Sequence, residues 1–122
     1  MSLVTRLEQT AFHDSTISDF RWKNSRIRLE FENVIIDTAD DNYYRAIVDL
    51  GGVHSVTRDG KPVDTLSSEG EDSSVLEFRR RDQTITLVVI WRSYLTRTEK
   101  VCTYSIGFDT FELQGEQQPG CI

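Results

Sequence analysis

Residues 13–15 place the three side-chain types of a hydrolase triad next to one another: His13, Asp14 and Ser15. A working triad needs these groups to converge from separate elements of the fold, which neighbours in sequence rarely achieve. Aspartate and serine also form turns and caps, in which an adjacent histidine bonds locally. The sequence therefore favours a structural role for the segment. A hydrolase that uses His13 or His54 is the least favoured function.

His54 is the second of the two histidines and follows two glycines and a valine. It joins His13 and Asp14 as a candidate polar site if the fold brings the two segments together. Zinc sites need several spaced Cys, His or acidic ligands, and the sequence has no such cluster. We therefore predict no metal, no cofactor and no catalytic residue.

The acidic residues are concentrated in residues 30–42 and 64–77, two segments that contain no lysine or arginine. If they lie at one end of the molecule, their field would steer a basic protein partner, whereas a purely solubilising role is the alternative. The spacing in residues 37–41 lacks the glycine and closing glutamate of a calcium loop. The candidate protein-binding residues are Asp37, Asp40, Asp41, Glu69, Glu71 and Asp72.

The chain has 122 residues and a net charge of −6, which predicts a single domain and argues against nucleic acid as the partner. No run of about 18 apolar residues is present, so no membrane span is expected. Cys102 falls on the inward phase of a predicted strand and Cys121 in the tail, as free thiols typical of a reducing compartment. With no secretion signal at the N-terminus, we expect a cytoplasmic protein.

Alternating hydrophobicity predicts the elements that position these residues. Thr84–Ser93 is apolar on both sides, which is typical of a central strand. Its reverse side, with Val88 and Ile90, needs cover from an N-terminal helix, a second sheet or a partner, so both a monomer and a homodimer remain open. The other predicted strands are Thr16–Trp22, Arg26–Ile36, Tyr43–Leu50, Val53–Arg58, Val75–Arg81 and Val101–Phe108.

The pattern also predicts the register of two hairpins. A two-residue turn at Asn24-Ser25 pairs Trp22 with Ile27 and Phe20 with Leu29, so that apolar side chains face each other. A loop one residue longer would pair the same aromatic residues with arginines. By the same reasoning, a turn at Asp82-Gln83 pairs Phe78 with Leu87 and Leu76 with Val89.

Together these elements predict an all-β fold, an antiparallel sandwich or partly open barrel of about six to seven strands. A short helix is expected within residues 2–11, a mobile loop at residues 67–74 and a loose tail at residues 115–122. The favoured function is a non-enzymatic protein-binding module. The alternative is a small-ligand-binding sandwich or barrel with a cavity lined by Trp22, Tyr43, Tyr44 and Trp91.

The segment Phe12-His13-Asp14-Ser15, followed by Ile17 and an alternating strand, resembles the opening of small bacterial proteins. These include immunity-type families of polymorphic toxin systems and related uncharacterised domains. The resemblance covers about the first 35 residues. It implies a cytoplasmic β-protein that inhibits a toxin by occluding it, with no catalytic residues of its own.

Overall fold

The computed structural model describes residues 3–8, 12–36 and 42–118. Within these ranges, nine strands form two antiparallel sheets, which confirms the predicted all-β sandwich, and they form no closed barrel. The elements are α1 (Leu3–Glu8), β1 (Thr16–Lys23), β2 (Arg26–Val34), β3 (Tyr44–Gly51), β4 (Ser55–Arg58), β5 (Lys61–Pro62), β6 (Asp72–Arg81), β7 (Thr84–Ser93), β8 (Thr98–Gly107) and β9 (Thr110–Gln117). One sheet has the order β1-β2-β3-β9 and the other β5-β4-β8-β7-β6.

The core lies between the two sheets because alternate side chains of each strand point inward. Phe20 of β1 contacts two aromatic residues of the opposite sheet, with ring centroids 5.1 Å from Tyr104 and 6.0 Å from Trp91. Cys102 is fully buried among them as a free thiol, as predicted. Residue 121, the other cysteine, lies outside the described residues.

The register of the first hairpin is confirmed, since Trp22 pairs with Ile27 and Phe20 with Leu29. Asn24 supplies the left-handed conformation of the turn, with φ of 59°. Arg26 therefore faces the lysine at the end of β1 instead of an aromatic ring.

The second hairpin turns where predicted and pairs Phe78 with Leu87. Leu76 does not pair with Val89, because a β-bulge between Val75 and Glu77 brings Val75 to that position. The extra residue of a bulge shifts the inward phase of one strand only, which the alternation of the sequence alone did not show. Val75 is the buried residue as a result.

The two sheets are joined along one side by β1 and β6. The backbone N–H of Val75 donates to the carbonyl of Ser15 at 2.8 Å, and the N–H of Ile17 donates to Oγ of Ser73 at 3.1 Å. Ser73 is buried, so the prediction of a mobile loop up to residue 74 was wrong at its end. The serine enters the sheet because its hydroxyl satisfies a backbone group of the neighbouring strand.

The other side of the sandwich is covered by α1, which packs on β9. Leu7 of α1 is fully buried, and a Cβ at Gly115 would overlap its side chain, so this helix docks on the sheet as expected. Because Gly115 belongs to β9 and pairs with Ala46, residues 115–117 are not a loose tail.

Val88 and Ile90 stay half-buried on the outer face of the five-stranded sheet. The helix described is too short to cross a membrane.

Candidate functional site

The four-residue turn between β7 and β8, Tyr94–Arg97, presents two large apolar side chains to solvent. Leu95 is 91% exposed and Tyr94 is 64% exposed. Arg97 closes the turn in the left-handed conformation, with φ of 55°. One exposed leucine on a surface is ordinary. Two adjacent large side chains on a protruding turn make a candidate contact surface, which we call the β7–β8 tip.

Hydrogen bonds fix Tyr94 on one side of the tip. Its backbone N–H donates to Oε2 of Glu71 at 3.2 Å, and its hydroxyl donates to Oδ2 of Asp72 at 2.9 Å. The Asp72 carboxylate raises the pKa of Tyr94, because it accepts this bond and because its charge disfavours a phenolate nearby. Both ends of Tyr94 are thus attached to the segment that leads into β6.

Arg92 holds the base of the tip together across three strands. Its guanidinium donates to Oγ of Ser74 at 2.8 Å and lies 3.3 Å from Oε1 of Glu99 and 3.6 Å from Oδ2 of Asp72. The chain before β6 also packs closely on its backbone, since a Cβ at Gly70 would lie 2.6 Å from the Arg92 carbonyl oxygen. The turn therefore rises from a cross-linked base.

The structure brings three of the predicted acidic residues together at this base. Glu71 and Asp72 contact Tyr94, and Glu69 forms an ion pair with Arg58 and lies 3.9 Å from Nζ of Lys100. All three carboxylates have partners within the chain, and those of Glu71 and Asp72 support the tip directly. The other three predicted residues, at positions 37, 40 and 41, lie outside the described residues.

His13 and Asp14 form an exposed pair in which Nδ1 and Oδ2 are 3.1 Å apart. The flanking residues are buried and structural. Phe12 enters the core with φ of 56°, and Oγ of Ser15 donates to the Phe12 carbonyl at 2.5 Å. The serine hydroxyl is thus used in closing the turn and does not meet the histidine.

His54 lies elsewhere, beside β8, with Nε2 3.9 Å from Oδ1 of Asp109. Its backbone N–H bonds to Gly107, whereas Asp14 bonds to Val75 of β6, a strand separated from β8 by β7. From the register, the two positions are roughly 10 Å apart across the sheet and 17 Å along the strands. The structure does not join the two histidines in one site. Among the described residues, no group of three potential metal ligands occurs.

The four aromatic residues proposed to line a ligand cavity are distributed over different environments. Trp91 and Tyr44 are buried, and Nε1 of Trp91 donates to the hydroxyl of Tyr104 at 3.0 Å. Tyr43 is half-exposed. Trp22 borders an open surface groove of about 310 Å³ next to His54, and the other three residues do not line it. The alternative function thus loses the shared cavity on which it was based.

The residues of the β7–β8 tip were not singled out from the sequence. The sequence feature that could have identified them is the presence of two large apolar residues, Tyr94 and Leu95, in a short connection between two predicted strands. Comparison of the chain with protein-family models, curated proteins and solved structures gave no match. The function is therefore inferred from the geometry of the chain itself.

Proposed function

We propose that this chain is a non-enzymatic protein-binding module that inserts the β7–β8 tip into an apolar pocket of its partner. The observation that carries the proposal is that Leu95 remains 91% exposed next to Tyr94, whose backbone N–H and hydroxyl are both hydrogen-bonded. A protruding apolar side chain on a fixed support has the form of an interface anchor.

The energetics favour such an anchor. Complete burial of a leucine side chain contributes about 1.5–3 kcal/mol. Ordering a flexible loop on association opposes binding, and the bonds from Tyr94 to Glu71 and Asp72 fix this turn before the partner arrives. Tyrosine adds a large contact area with few rotatable bonds and is enriched among residues that dominate binding energy.

The charge of the chain favours a basic partner. With a net charge of −6, the long-range field attracts a positively charged protein and accelerates the encounter. Asp37, Asp40 and Asp41 would add to this field in the sequence between β2 and β3. The resemblance of residues 12–17 extends the proposal to an immunity-type inhibitor that occludes a toxin. In that case the product of the adjacent reading frame is the first purified partner to test.

A comparison of three baits tests the proposal: the unchanged chain, Leu95→Asp and Ile35→Asp. Ile35 is a matched control because it is a surface residue of similar size, 42% exposed, immediately after β2 of the other sheet. We expect a protein that is retained by the unchanged chain and by Ile35→Asp but lost with Leu95→Asp. Recovery of the same proteins by all three baits, or of none by the unchanged chain, would contradict the proposal.

The salt dependence of binding tests the charge of the partner separately. If the partner is basic, its association rate with the unchanged chain falls steeply as ionic strength rises, because salt screens the long-range attraction. The dissociation rate should change little, since it depends on the apolar contact at the tip. A salt-independent association rate would exclude electrostatic steering and leave the role of Leu95 intact.

A further inference from the structure

The outer face of the β1-β2-β3-β9 sheet carries a row of four charges in which the two signs lie on different strands. One cross-strand row places Arg21 opposite Arg28, then Asp49 and Glu112. The row thus has two arginines on β1 and β2 and two carboxylates on β3 and β9. The next pair along the hairpin, Lys23 and Arg26, adds two more cations.

Like charges placed directly opposite each other on neighbouring strands destabilise a sheet. The structure neutralises this block only in part: Nε of Arg21 lies 3.0 Å from Asp19, and Nη2 of Arg28 lies 3.7 Å from Glu30. Within the part of the chain that the structure describes, the two other cations and both carboxylates form no ion pair within 4.0 Å: Lys23, Arg26, Asp49 and Glu112. Two unpaired charges of each sign therefore face the same surface.

These residues enclose a groove that crosses all four strands. The larger part has a volume of about 360 Å³ and is lined by residues of all four strands, and an adjoining part of about 260 Å³ extends to Thr110 and Phe111. A Cβ at Gly51 would collide with Thr110, which lines the smaller part. Arg26, Asp49 and Glu112 line both parts, which therefore form one open groove, with cations on β1 and β2 and carboxylates on β3 and β9.

We infer that this groove binds an extended peptide segment of a protein partner that carries an acidic and a basic side chain. The acidic side chain lies over Arg26 and its neighbours on β1 and β2, and the basic one lies over Asp49 and Glu112. Side chains i and i+2 of an extended peptide leave the same face of the chain about 7 Å apart. A glutamate and a lysine at these positions can reach from Arg28 to Asp49 and Glu112, which lie one and two strand spacings away. Arginine and carboxylate match in a two-bond geometry that fixes the acidic end.

A nucleic acid or another polyanion fits this groove poorly. Asp49 and Glu112 would repel its continuation beyond the cationic half, and the net charge of −6 opposes its approach. The groove lies on the outer face of the β1-β2-β3-β9 sheet, near the β1–β2 turn. The β7–β8 tip belongs to the five-stranded sheet and lies on the side where Ile17 meets Ser73. The two surfaces are therefore independent, and failure of either proposal does not affect the other.

Titration of the ¹⁵N-labelled chain with blocked peptides at low salt tests the inference by NMR. The probes are acetylated, amidated Glu-Gly-Lys, Glu-Gly-Glu and Lys-Gly-Lys, together with inorganic phosphate. We expect shifts of groove amides with a dissociation constant of about millimolar order. The mixed peptide should bind about threefold to tenfold more tightly than either like-charged peptide, as expected for exposed ion pairs.

Arg26→Gln and Asp49→Asn should each remove that preference, with the amide spectrum outside the groove unchanged. Arg79→Gln is the matched control, because Arg79 is an exposed arginine of the other sheet that pairs with Glu77 at 2.8 Å. Equal binding of all three peptides, stronger shifts with phosphate alone, or no groove shifts at 10 mM peptide (about tenfold above the expected constant) would each overturn the inference.

Discussion

The hydroxyl of Tyr94 donates a hydrogen bond to the carboxylate of Asp72 at 2.9 Å, and this bond attaches the β7–β8 tip to the first residue of β6. The two residues are 22 positions apart in sequence. The second bond of Tyr94, from its backbone N–H to Glu71, comes from the same short segment. The orientation of Leu95 therefore depends on a tertiary contact as well as on the turn itself.

The first prediction concerns the titration of Tyr94. Asp72 raises the pKa of the phenol by accepting its proton in a hydrogen bond and by the repulsion between two negative charges. Asp72→Ala removes both effects, so the pKa of Tyr94 should fall towards its ordinary value, about 10. Asp72→Asn keeps an acceptor without the charge and should lower the pKa less. Titration of ¹³Cζ-labelled tyrosine by NMR measures these shifts.

Glu112→Gln provides the control, since Glu112 is an exposed carboxylate on the opposite sheet. It should leave the titration of Tyr94 unchanged. An identical pKa in the unchanged chain and in Asp72→Ala would show that the Tyr94–Asp72 bond is not formed in solution, and the β7–β8 tip would then lack one of its two attachments.

Ser73→Ala should weaken the joint between the two sheets. The hydroxyl accepts the N–H of Ile17 at 3.1 Å and lies 3.4 Å from the Ile17 carbonyl, in a buried position. A buried N–H without an acceptor costs about 1–3 kcal/mol, and the free energy of unfolding should fall by that amount. Urea unfolding measures the change. Ser68→Ala, on an exposed loop position, should have an effect within about 0.5 kcal/mol.

The third prediction concerns stability at two adjacent positions: a large loss when Phe12 is truncated and almost no change when His13 is truncated. Phe12 is buried with its ring centroid 4.9 Å from those of both Phe31 and Phe78, so Phe12→Ala should cost about 3–5 kcal/mol of stability. His13 is exposed, and His13→Ala should change stability by less than about 0.5 kcal/mol. Thermal or urea unfolding of the two variants checks this. A large loss with His13→Ala would contradict it.

Alternation was sufficient to predict the first hairpin, because one register alone places Trp22 and Phe20 opposite apolar partners. It was insufficient for β9, whose inward phase includes Gly115. That glycine weakens the apolar signal, yet it is required there by the packing of Leu7. The start of β6 was missed for a related reason: its inward residue is Ser73, whose polarity is satisfied only by a strand distant in sequence.

The candidate site was less accessible to sequence reasoning than the fold. Glu71 and Asp72 were predicted as protein-binding residues from the charge of their segment, whereas their contact with Tyr94 depends on how β6 and β7 are paired. Charge and composition describe what a segment contains and not which distant side chain it meets. The exposure of Leu95 likewise follows from the conformation of the turn.

The final prediction concerns the hydrogen bond between Trp91 and Tyr104 in the core. Tyr104→Phe leaves the buried indole N–H without its acceptor, so at neutral pH the variant should be less stable by about 1–3 kcal/mol. Burial raises the pKa of Tyr104, so the folded chain keeps the phenol protonated at a pH where the unfolded chain loses the proton. The stability that the protonated phenol of Tyr104 contributes is complete below about pH 10 and decreases as the pH rises above it.

The Tyr104→Phe variant has no such proton. Above pH 10 its free energy of unfolding should therefore fall less steeply than that of the unchanged chain, and the two slopes should differ by up to about 1.4 kcal/mol per pH unit. The difference between the unchanged chain and Tyr104→Phe should therefore narrow as the pH rises. Urea unfolding between about pH 8 and 11 measures both curves. Tyr43→Phe, at a half-exposed position, controls for the loss of a tyrosine hydroxyl as such. Parallel curves for the unchanged chain and Tyr104→Phe would show that Tyr104 is not protected from ionisation by the core.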